Sequence, residues 1–422
     1  MKILWIVNTP LRILGEKLYG KRNTDLWMGA LLDGVKQNTK NDIIVATTAA
    51  ISQTQKYIEN GITYYALPSQ VPILYNENDE RNIAVWQELL DSEKPDLIQV
   101  WGTEFTHGLC ALRVAKDIPS VIYMQGYLGS IARHYLAGMT HQELKKSVTF
   151  RDIIKRDSIE NQQKKYFRSA EKEKEMFLLS GRIICENDWC ENSIRAIAPD
   201  IRVYRCPLSI NLVFSEKEWD LEQAERHSII CTASGYPLKG LHMMLKAVAL
   251  LKEIYPDIKL YVPGEKVISD NSLKWLVRKR GYTKYIEKLI EELDVSKSIV
   301  WMGSVTQEEL AEQYSKTHAF VLTSSIENHS SSLKEAMMVG VPSIASNVGG
   351  VSEYVEHGKS GFLYRFEEYE MIAAYIKLIF EDDELAKRLS FSGKERIKSI
   401  HDGNRISENM EAVYNSIVLE GK

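Results

Sequence analysis

Two glutamates, Glu327 and Glu335, lie eight positions apart around a predicted helix start, where both carboxylates could bind one ligand. Glu327 lies in a serine-rich turn after an apolar run, and Glu335 lies on a helix predicted from about Ser332 to Val339. The unpaired amides and the dipole at a helix start attract anions. A phosphate held there would leave each carboxylate to accept hydrogen bonds from hydroxyls on either side. A nucleotide sugar, with its sugar, diphosphate and ribose, has this layout.

The same residues also have simpler interpretations. Ser332 and Glu335 form an S-x-x-E pattern, so Glu335 could cap the helix backbone. Glu327 could be a solvated loop residue. His329 is interpreted as a loop residue, because no partner stands at metal-ligand spacing.

A lysine at a second loop favours the anion-site interpretation. After the predicted strand at 228–232, Lys239 and Gly240 open an amphipathic helix. A cation in the first turn opposes the helix dipole, which suggests that Lys239 points at an anion such as phosphate. The alternative is a solvated surface lysine. Glycine at 240 would permit close approach of a ligand.

Alternating apolar strands and longer helical segments must position these residues. The runs are continuously apolar, which is typical of parallel strands buried on both faces. Strands are predicted at 2–7, 42–47, 97–101, 120–124, 182–185, 202–206, 228–232, 259–262, 299–302, 319–323 and 342–345. Helices are predicted at 24–37, 81–91, 240–254 and 306–316. No GxGxxG follows the first strand, so a conventional dinucleotide site is not supported.

An irregular polar segment at about 207–227 separates the two strand series. We therefore predict an α/β protein with two doubly wound, Rossmann-like domains that face a central cleft, where ligands would bind. The predicted domains are 1–208 and 209–395. Residues 396–422 are predicted to form a helix that packs back on the N-terminal domain.

Composition excludes several classes of protein. The chain has 422 residues with 53 Lys and Arg against 57 Asp and Glu, a net charge of −4, which argues against a polycation that coats nucleic acid. No apolar run approaches the ~18–20 residues that cross a bilayer, and the N-terminus lacks a signal-peptide pattern. Five cysteines without a CxxC pair suggest buried thiols in a reducing compartment. We expect a cytoplasmic protein.

The stretch ENHSSSLKEAMMVGVPSIAS, followed by VGGVSEYVEHGKSGFLY, resembles the donor-site motif of the retaining glycosyltransferases of family 4 (group 1), which have the GT-B fold. The family pattern is a Glu, seven residues and a second Glu, matched here by Glu327 and Glu335. PLKG matches the family's diphosphate lysine at Lys239. The resemblance is strong over about 228–365 and weaker over the N-terminal half.

The resemblance implies a role for each matching residue. Glu335 would hold the ribose hydroxyls, Lys239 the diphosphate and Glu327 the transferred sugar, with the latter two treated as catalytic through positioning and charge stabilisation. The remaining implied donor-site positions are the backbone near His329, Ser330 and Ser331, the nucleobase contact at Val305, the loop at Ser234 and Gly235, and Gln125 near the sugar.

The chain departs from the family at three places. Ser234 and Gly235 stand where an Arg is usual, and Lys266 or Arg278 could supply the second positive charge. No Gly-Gly opens the first helix near residues 23–25. Gln125 stands where many members carry a His.

The implied activity is transfer of a hexosyl group from a nucleotide-diphosphate sugar to a glycan or lipid-linked acceptor, with retention and without a metal or cofactor. A role in bacterial surface polysaccharide synthesis follows from the resemblance only. The alternatives are a GT-B-fold sugar-nucleotide epimerase or phosphorylase and a non-catalytic sugar-binding protein.

The acceptor is expected on the N-terminal half, where two polar clusters, Glu104 with His107 and Arg133 with His134, could bind its hydroxyls or could be ordinary loop residues. The segment 144–177 mixes Lys and Arg with Phe and Ile. It could meet an anionic membrane at the inner face, or it could be a solvated helix, since acids such as Asp152 and Glu173 are interspersed.

Overall fold

The protein divides into two compact units. The computed structural model describes residues 1–20, 26–69, 80–104, 107–115, 117–233, 235–264, 266–267, 278–401 and 403–420. Unit 1 comprises Met1–Leu128, Arg168–Ile210 and His401–Lys422, and unit 2 comprises Gly129–Phe167 and Asn211–Ile400. Each unit is built on one largely or wholly parallel sheet, so the predicted class of two Rossmann-like α/β halves is confirmed.

Unit 1 contains an eight-stranded sheet in the order β3-β4-β2-β1-β5-β6-β7-β8. Its strands are β1 (Lys2–Ile6), β2 (Asp42–Ala49), β3 (Gln55–Glu59), β4 (Ile62–Pro68), β5 (Leu97–Trp101), β6 (Ser120–Tyr123), β7 (Arg182–Cys185) and β8 (Arg202–Arg205). Only β3 is antiparallel to its neighbour. The order in which strands are added reverses at β1, which pairs in parallel with both β2 and β5.

Helices cover both faces of this sheet. They are α1 (Ile13–Tyr19), α2 (Leu26–Asn38), α3 (Glu80–Glu93), α4 (His107–Val114), α9 (Asp188–Arg195) and the last helix, α17 (Gly403–Glu420). In the core of one face, Trp5 Nε1 donates a hydrogen bond of 3.1 Å to Tyr414 Oη of α17, which in turn donates to Gln99 Oε1. The last helix is thus part of the core of unit 1.

Unit 2 contains a six-stranded parallel sheet in the order β11-β10-β9-β12-β13-β14. Its strands are β9 (Glu225–Ile230), β10 (Lys259–Pro263), β11 (Ile299–Gly303), β12 (Thr317–Leu322), β13 (Ser343–Ser346) and β14 (Phe362–Tyr364). β10 and β11 are added on one side of β9, and β12, β13 and β14 are then added on its other side. In such a sheet, the crevice for ligands forms where the strand order reverses, at the carboxyl ends of β9 and β12.

The helices of unit 2 surround this sheet. They are α5 (Leu128–His134), α6 (His141–Ser147), α7 (Phe150–Lys155), α10 (Leu212–Ser215), α11 (Leu241–Leu251), α12 (Gly281–Glu292), α13 (Gln307–Ser315), α14 (Ser331–Val339), α15 (Tyr369–Glu381) and α16 (Asp383–Ile400). The long helix α8 (Ile159–Ser180) belongs to unit 2 through Phe167 and to unit 1 from Arg168.

Three strands were not predicted. β3 and β4 form a hairpin at the edge of the sheet, and β3 alternates half-buried and exposed residues instead of showing a continuous apolar run. β14 has only three residues. β3 and β14 lack the continuous apolar run on which the prediction depends, because an edge strand is buried on fewer sides. β4 lies between β3 and β2 and is mostly buried, and its apolar run was not recognised in the sequence.

One assignment of chain to domain differs from the prediction. Residues 129–167, predicted within the domain 1–208, belong to unit 2. His242 Nε2 lies 2.8 Å from the carbonyl oxygen of Ala137, and Tyr285 Oη donates to Glu143 Oε1 at 2.8 Å. These contacts join residues about 100 or more positions apart, so no local pattern in the sequence announces them.

Candidate active site

Two loops at the carboxyl ends of β9 and β12 bring Lys239 and Glu327 into contact. Lys239 Nζ donates to Glu327 Oε1 at 2.6 Å, and Ser324 Oγ donates to the same oxygen at 2.6 Å. The side chain of Glu327 is 9% exposed and that of Lys239 is 32% exposed. The lysine and the first glutamate of the predicted site therefore converge at the topological switch point of unit 2.

The backbone around Lys239 explains why a glycine follows it. Lys239 ends a short 3₁₀ helix, Pro237–Lys239, and Gly240 has a φ of +68°. A Cβ at Gly240 would lie 1.7 Å from the carbonyl oxygen of Thr323, while Thr323 Oγ1 donates to the carbonyl oxygen of Lys239 at 2.8 Å. The glycine lets these two loops touch, and Lys239 lies just before α11 instead of in its first turn.

A third loop, after β13, holds the backbone of Glu327. The amide of Gly350 donates to the carbonyl oxygen of Glu327 at 3.1 Å. Gly349 has a φ of +54°, and a Cβ there would lie 1.8 Å from that same oxygen. Ser346 Oγ donates to the carbonyl oxygen of Ser324 at 2.6 Å. Ser324 and Ser346 were not predicted, since serines in a serine-rich turn carry no distinguishing spacing.

Glu335 is not a capping residue. The N-cap of α14 is Ser330, whose side chain accepts a hydrogen bond from the amide of Leu333 at 3.3 Å. The capping-box interpretation required Ser332 at that position and is wrong. Glu335 lies half-buried in the second turn of α14, where burial raises the pKa of its carboxyl to about 7 although Lys334 acts to lower it.

The attraction between opposite charges dominates the electrostatics of Lys239 and Glu327. Burial alone would lower the pKa of Lys239, but the carboxylate of Glu327 and the neighbouring Tyr236 raise it above its ordinary value. Burial also raises the pKa of Tyr236. The ammonium of Lys239 thus stays charged over the physiological pH range, next to a carboxylate that is largely removed from solvent.

The other predicted donor-site positions of unit 2 that the structure describes fall on the loops of the same sheet. Ser330 is the cap of α14 and Ser331 begins that helix, with His329 just before them. Gly235 lies in the loop after β9 and has a φ of +28°. Val305 follows β11, whose carboxyl end lies on the same edge of the sheet as those of β9 and β12. Ser234 and residues 23–25 lie outside the described residues.

In unit 1, the structure brings together two predicted residues that follow neighbouring strands. A Cβ on Gly102, where φ is +78°, would lie 2.1 Å from Glu104 Oε2 and 3.2 Å from the side-chain Cδ of Gln125. Burial raises the pKa of Glu104 to about 7 and lowers the pKa of His107, the first residue of α4, to about 4. Near pH 7, the His107 imidazole is therefore neutral and about half of the Glu104 carboxyl groups are protonated.

Glu173 is a buried carboxylate that the sequence did not single out. It accepts hydrogen bonds from Thr103 Oγ1 at 2.6 Å and from the amide of Leu128 at 3.0 Å, and its exposure is 0%. Among the acids predicted to lie on a solvated helix, Glu173 and Asp152 are both buried. Glu173 gives no sequence signal of burial, because its partners, Thr103 and the amide of Leu128, are distant in the sequence.

Arg133 and His134 lie in unit 2 and not in the N-terminal domain as predicted. Both side chains are exposed at the end of α5. The carbonyl oxygen of His134 accepts a hydrogen bond from Ser325 Oγ at 3.1 Å, and Ser325 lies two residues before Glu327. The end of α5 is thus attached to the loop that carries the first glutamate.

Neither a metal cluster nor a membrane-spanning helix is found in the part of the chain that the structure describes. No three or more His, Cys, Asp and Glu side chains are grouped there so that they could hold a metal ion. None of the helices described is both long enough and apolar enough to span a membrane. None of the five cysteines is in a disulfide, and all five are buried.

The part of the chain that carries the Lys239–Glu327 pair is similar to known proteins. Residues 215–396 match the family model described as "Glycosyl transferases group 1". Over these residues the chain is similar to group 1 glycosyltransferases. The D-inositol 3-phosphate glycosyltransferase of Corynebacterium urealyticum is 31% identical over 147 residues, which are 35% of this chain and 33% of that enzyme. The chain spans less than half the length of the curated relatives that it matches.

Solved structures share the fold over the whole chain. Sucrose-phosphate synthase from Thermosynechococcus elongatus has a TM-score of 0.75 and 16% identity, with 100% of both chains covered. Anabaena HepE, solved in complex with UDP and glucose, has a TM-score of 0.66 and 15% identity, covering 99% of this chain and 100% of that chain. At this identity the likeness concerns the fold, which is that of GT-B glycosyltransferases. The region that matches the family model contains Lys239, Glu327 and Glu335.

Proposed function

We propose that the protein is a retaining, metal-independent glycosyltransferase that moves a hexosyl group from a nucleotide-diphosphate sugar to a glycan or lipid-linked acceptor. The observation that carries this proposal is the contact between Lys239 and Glu327 at the switch point of unit 2, with Glu335 on the helix that follows. A cation for the diphosphate and carboxylates for hydroxyl groups are the donor set that such a substrate needs.

Each residue has one task in this mechanism. Glu335 accepts hydrogen bonds from the ribose hydroxyls, the start of α14 and Lys239 hold the diphosphate, and Glu327 accepts hydrogen bonds from the transferred sugar. The bond between the anomeric carbon and the diphosphate oxygen breaks while an acceptor hydroxyl forms the new bond on the same face. The departing phosphate takes the acceptor's proton, so no protein base is required. Fixed charges and dipoles stabilise the charge that develops on the phosphate.

A solved structure that shares the fold supports the nucleotide part of this proposal. HepE, which shares the fold, was solved with UDP and glucose. The relative named D-inositol 3-phosphate glycosyltransferase supports the class of reaction. We place the reaction in the assembly of a bacterial surface polysaccharide on the basis of the family resemblance alone.

The test is incubation with a panel of nucleotide sugars and acceptors, with products identified by mass spectrometry and anomeric configuration by NMR. We expect transfer or slow donor hydrolysis that falls by roughly 100-fold or more in Lys239→Ala and Glu327→Gln, the scale of losing one preorganised group. Lys217→Ala is the matched control, since Lys217 donates to Glu312 at 2.5 Å in a surface ion pair of the same unit.

Four outcomes would contradict the proposal in whole or in part. Unchanged turnover in both site variants would remove the site assignment. An epimerised donor without transfer would favour an epimerase. Tight sugar binding without turnover of any donor would favour a binding protein. Full activity in the presence of EDTA is expected, and loss of activity restored by a divalent cation would refute metal independence.

A further inference from the structure

One turn of helix on unit 2 exposes three large apolar side chains together. Phe150, Ile153 and Ile154 of α7 are 71%, 67% and 65% exposed. Their spacing of three and four positions places them on one face of the helix. Exposed apolar residues scattered singly are ordinary, but three on a single turn form a face that solvation does not favour.

The charges around this apolar face are arranged by sign. The neighbouring cations Lys145, Lys146, Lys155 and Arg156 are exposed. The acids of the segment are turned inward or neutralised. Asp152 is 1% exposed and accepts a hydrogen bond from the amide of Thr149 at 3.1 Å as part of the N-terminal cap of α7. Asp157 accepts hydrogen bonds from Arg151 and Lys165. The apolar turn is therefore bordered by positive charge.

A cavity of about 170 Å³ lies between α6 and α12, beside the start of α7. Lys146, Lys284 and Lys288 line it, together with Glu143 and Glu292. Glu143 accepts a hydrogen bond from Tyr285, and Lys288 and Glu292 balance each other's charge at 3.0 Å, so three lysines face two acids in this cavity.

Hydrogen bonds from side chains to main-chain carbonyl oxygens hold the start of α7 next to this cavity. Lys284 Nζ donates to the carbonyl oxygen of Val148 at 3.0 Å, and Thr149 Oγ1 donates to the carbonyl oxygen of Lys279 at 3.0 Å. Val148 and Thr149 directly precede the apolar turn. The cavity, the cations and the apolar face thus form one continuous surface of unit 2.

We propose that this surface docks on an anionic lipid bilayer. Phe150, Ile153 and Ile154 enter the boundary between head groups and acyl chains, the exposed cations face the lipid phosphates, and the lysine-lined cavity holds one phosphate of a head group. Interfacial binding needs apolar side chains and electrostatic attraction in this combination. A stable protein partner would need about 800 Å² on each side, far more than one helical turn offers. The inference does not depend on the proposed catalytic activity, because the site residues of that activity lie on other loops.

Vesicle co-sedimentation of the full chain, without donor or acceptor, tests the proposal. We expect binding to vesicles that contain phosphatidylglycerol and little binding to phosphatidylcholine alone. The variant Phe150→Ser/Ile153→Ser/Ile154→Ser should bind the anionic vesicles at least roughly tenfold more weakly. Phe391→Ser is the matched control, since Phe391 on α16 is 70% exposed in the same unit, and it should bind like the wild type.

The cations provide a second, independent arm. Lys155→Ala and Arg156→Ala should each weaken binding roughly fivefold, and raised salt should weaken binding by the wild type. Lys146→Ala should cost more than Lys155→Ala, because it also removes a cavity cation. All of these side chains are exposed, so the variants should keep the thermal stability of the wild type.

Several results would overturn the proposal. Undiminished binding by the triple serine variant, or equal binding to both kinds of vesicle, would do so. So would self-association without lipid that the triple variant abolishes, since the face would then join two copies of the chain. Vesicle binding is measured without donor or acceptor, so its result does not depend on transferase activity. A failure of the docking proposal can therefore be distinguished from a failure of the proposed function.

Discussion

Replacing Glu335 with glutamine should stabilise the ligand-free protein at neutral and higher pH. Burial raises the pKa of this carboxyl to about 7 in the folded chain, against an ordinary value of 4.5. A group with a raised acid pKa binds more protons when folded. The wild type therefore loses stability as pH rises from about 4.5 through about 7, and the loss is complete above that range.

The size of the effect follows from the two pKa values. Each pKa unit corresponds to about 1.4 kcal/mol, so the ionised carboxyl costs at most about 3 kcal/mol at pH 8. The side chain is half-buried, and water reduces the cost, so we expect Glu335→Gln to gain about 1–3 kcal/mol in the free energy of unfolding at pH 8. Near pH 5 the gain should be about a quarter as large, because the folded wild type is then protonated and pH 5 lies only just above the ordinary pKa of the unfolded carboxyl.

Urea denaturation of both proteins between pH 5 and 8 measures this gain. Glu312→Gln is a control of opposite sign, because hydrogen bonds from Lys217 and Lys316 lower the pKa of Glu312 to about 2. That variant should be less stable than the wild type at neutral pH. A gain in Glu335→Gln that is the same at pH 5 and pH 8, or a loss at pH 8, would refute the reasoning.

The same substitution should weaken ligand binding. If Glu335 accepts two ribose hydroxyls, glutamine offers one acceptor fewer and no charge, which costs roughly tenfold in the affinity for UDP measured by calorimetry. UDP affinity of the wild type should also fall below about pH 7, where Glu335 takes up a proton. A variant that is more stable and binds less well would show that the buried carboxyl is kept for its ligand.

Other substitutions probe the loops and the core. Lys239→Met should lower the free energy of unfolding by about 1–3 kcal/mol in urea denaturation, because it leaves the buried carboxylate of Glu327 without its cation, and adding Glu327→Gln should restore part of the loss. Gly240→Ala should destabilise by more than 3 kcal/mol, since its Cβ would overlap a main-chain oxygen, whereas Gly20→Ala, at a φ of +67° with nothing within 4 Å, should cost only about 1–2 kcal/mol of strain in the same assay. Tyr414→Phe should cost about 1–3 kcal/mol, as it removes a buried hydroxyl that joins β1 to α17, and an unchanged melting temperature would contradict this.

The central strands and the meeting of Lys239 with Glu327 could be predicted from the sequence for the same reason. A parallel strand buried on both faces is a continuous apolar run, and the residue types that follow it lie at one edge of the sheet. Placing Lys239 after one strand and Glu327 after another required only that these two strands be neighbours. The pairing of β12 with β9 satisfies this condition.

The features that escaped prediction depend on contacts between distant parts of the chain. The capping box at Ser332 was a valid local pattern, but the chain begins α14 at the cap Ser330, which removes Glu335 from capping. Glu173 is buried only because Thr103 and the amide of Leu128 meet it. Residues 129–167 join unit 2 through hydrogen bonds to α11 and α12, and no composition shift marks either end of this segment.

The backbone and the side chains of the candidate site are held in different ways, and this difference bears on how a donor would enter. The loops after β9, β12 and β13 are tied by main-chain oxygens and by glycines at 240 and 349 that no larger residue could replace without a clash. Lys239 and Glu327 are held by one another and by Ser324. A diphosphate can take the ammonium of Lys239 while a sugar hydroxyl replaces it on Glu327, so that each charge keeps a partner throughout. The exchange needs rotation of side chains within loops that stay in place, which limits the cost of reorganisation when the donor binds.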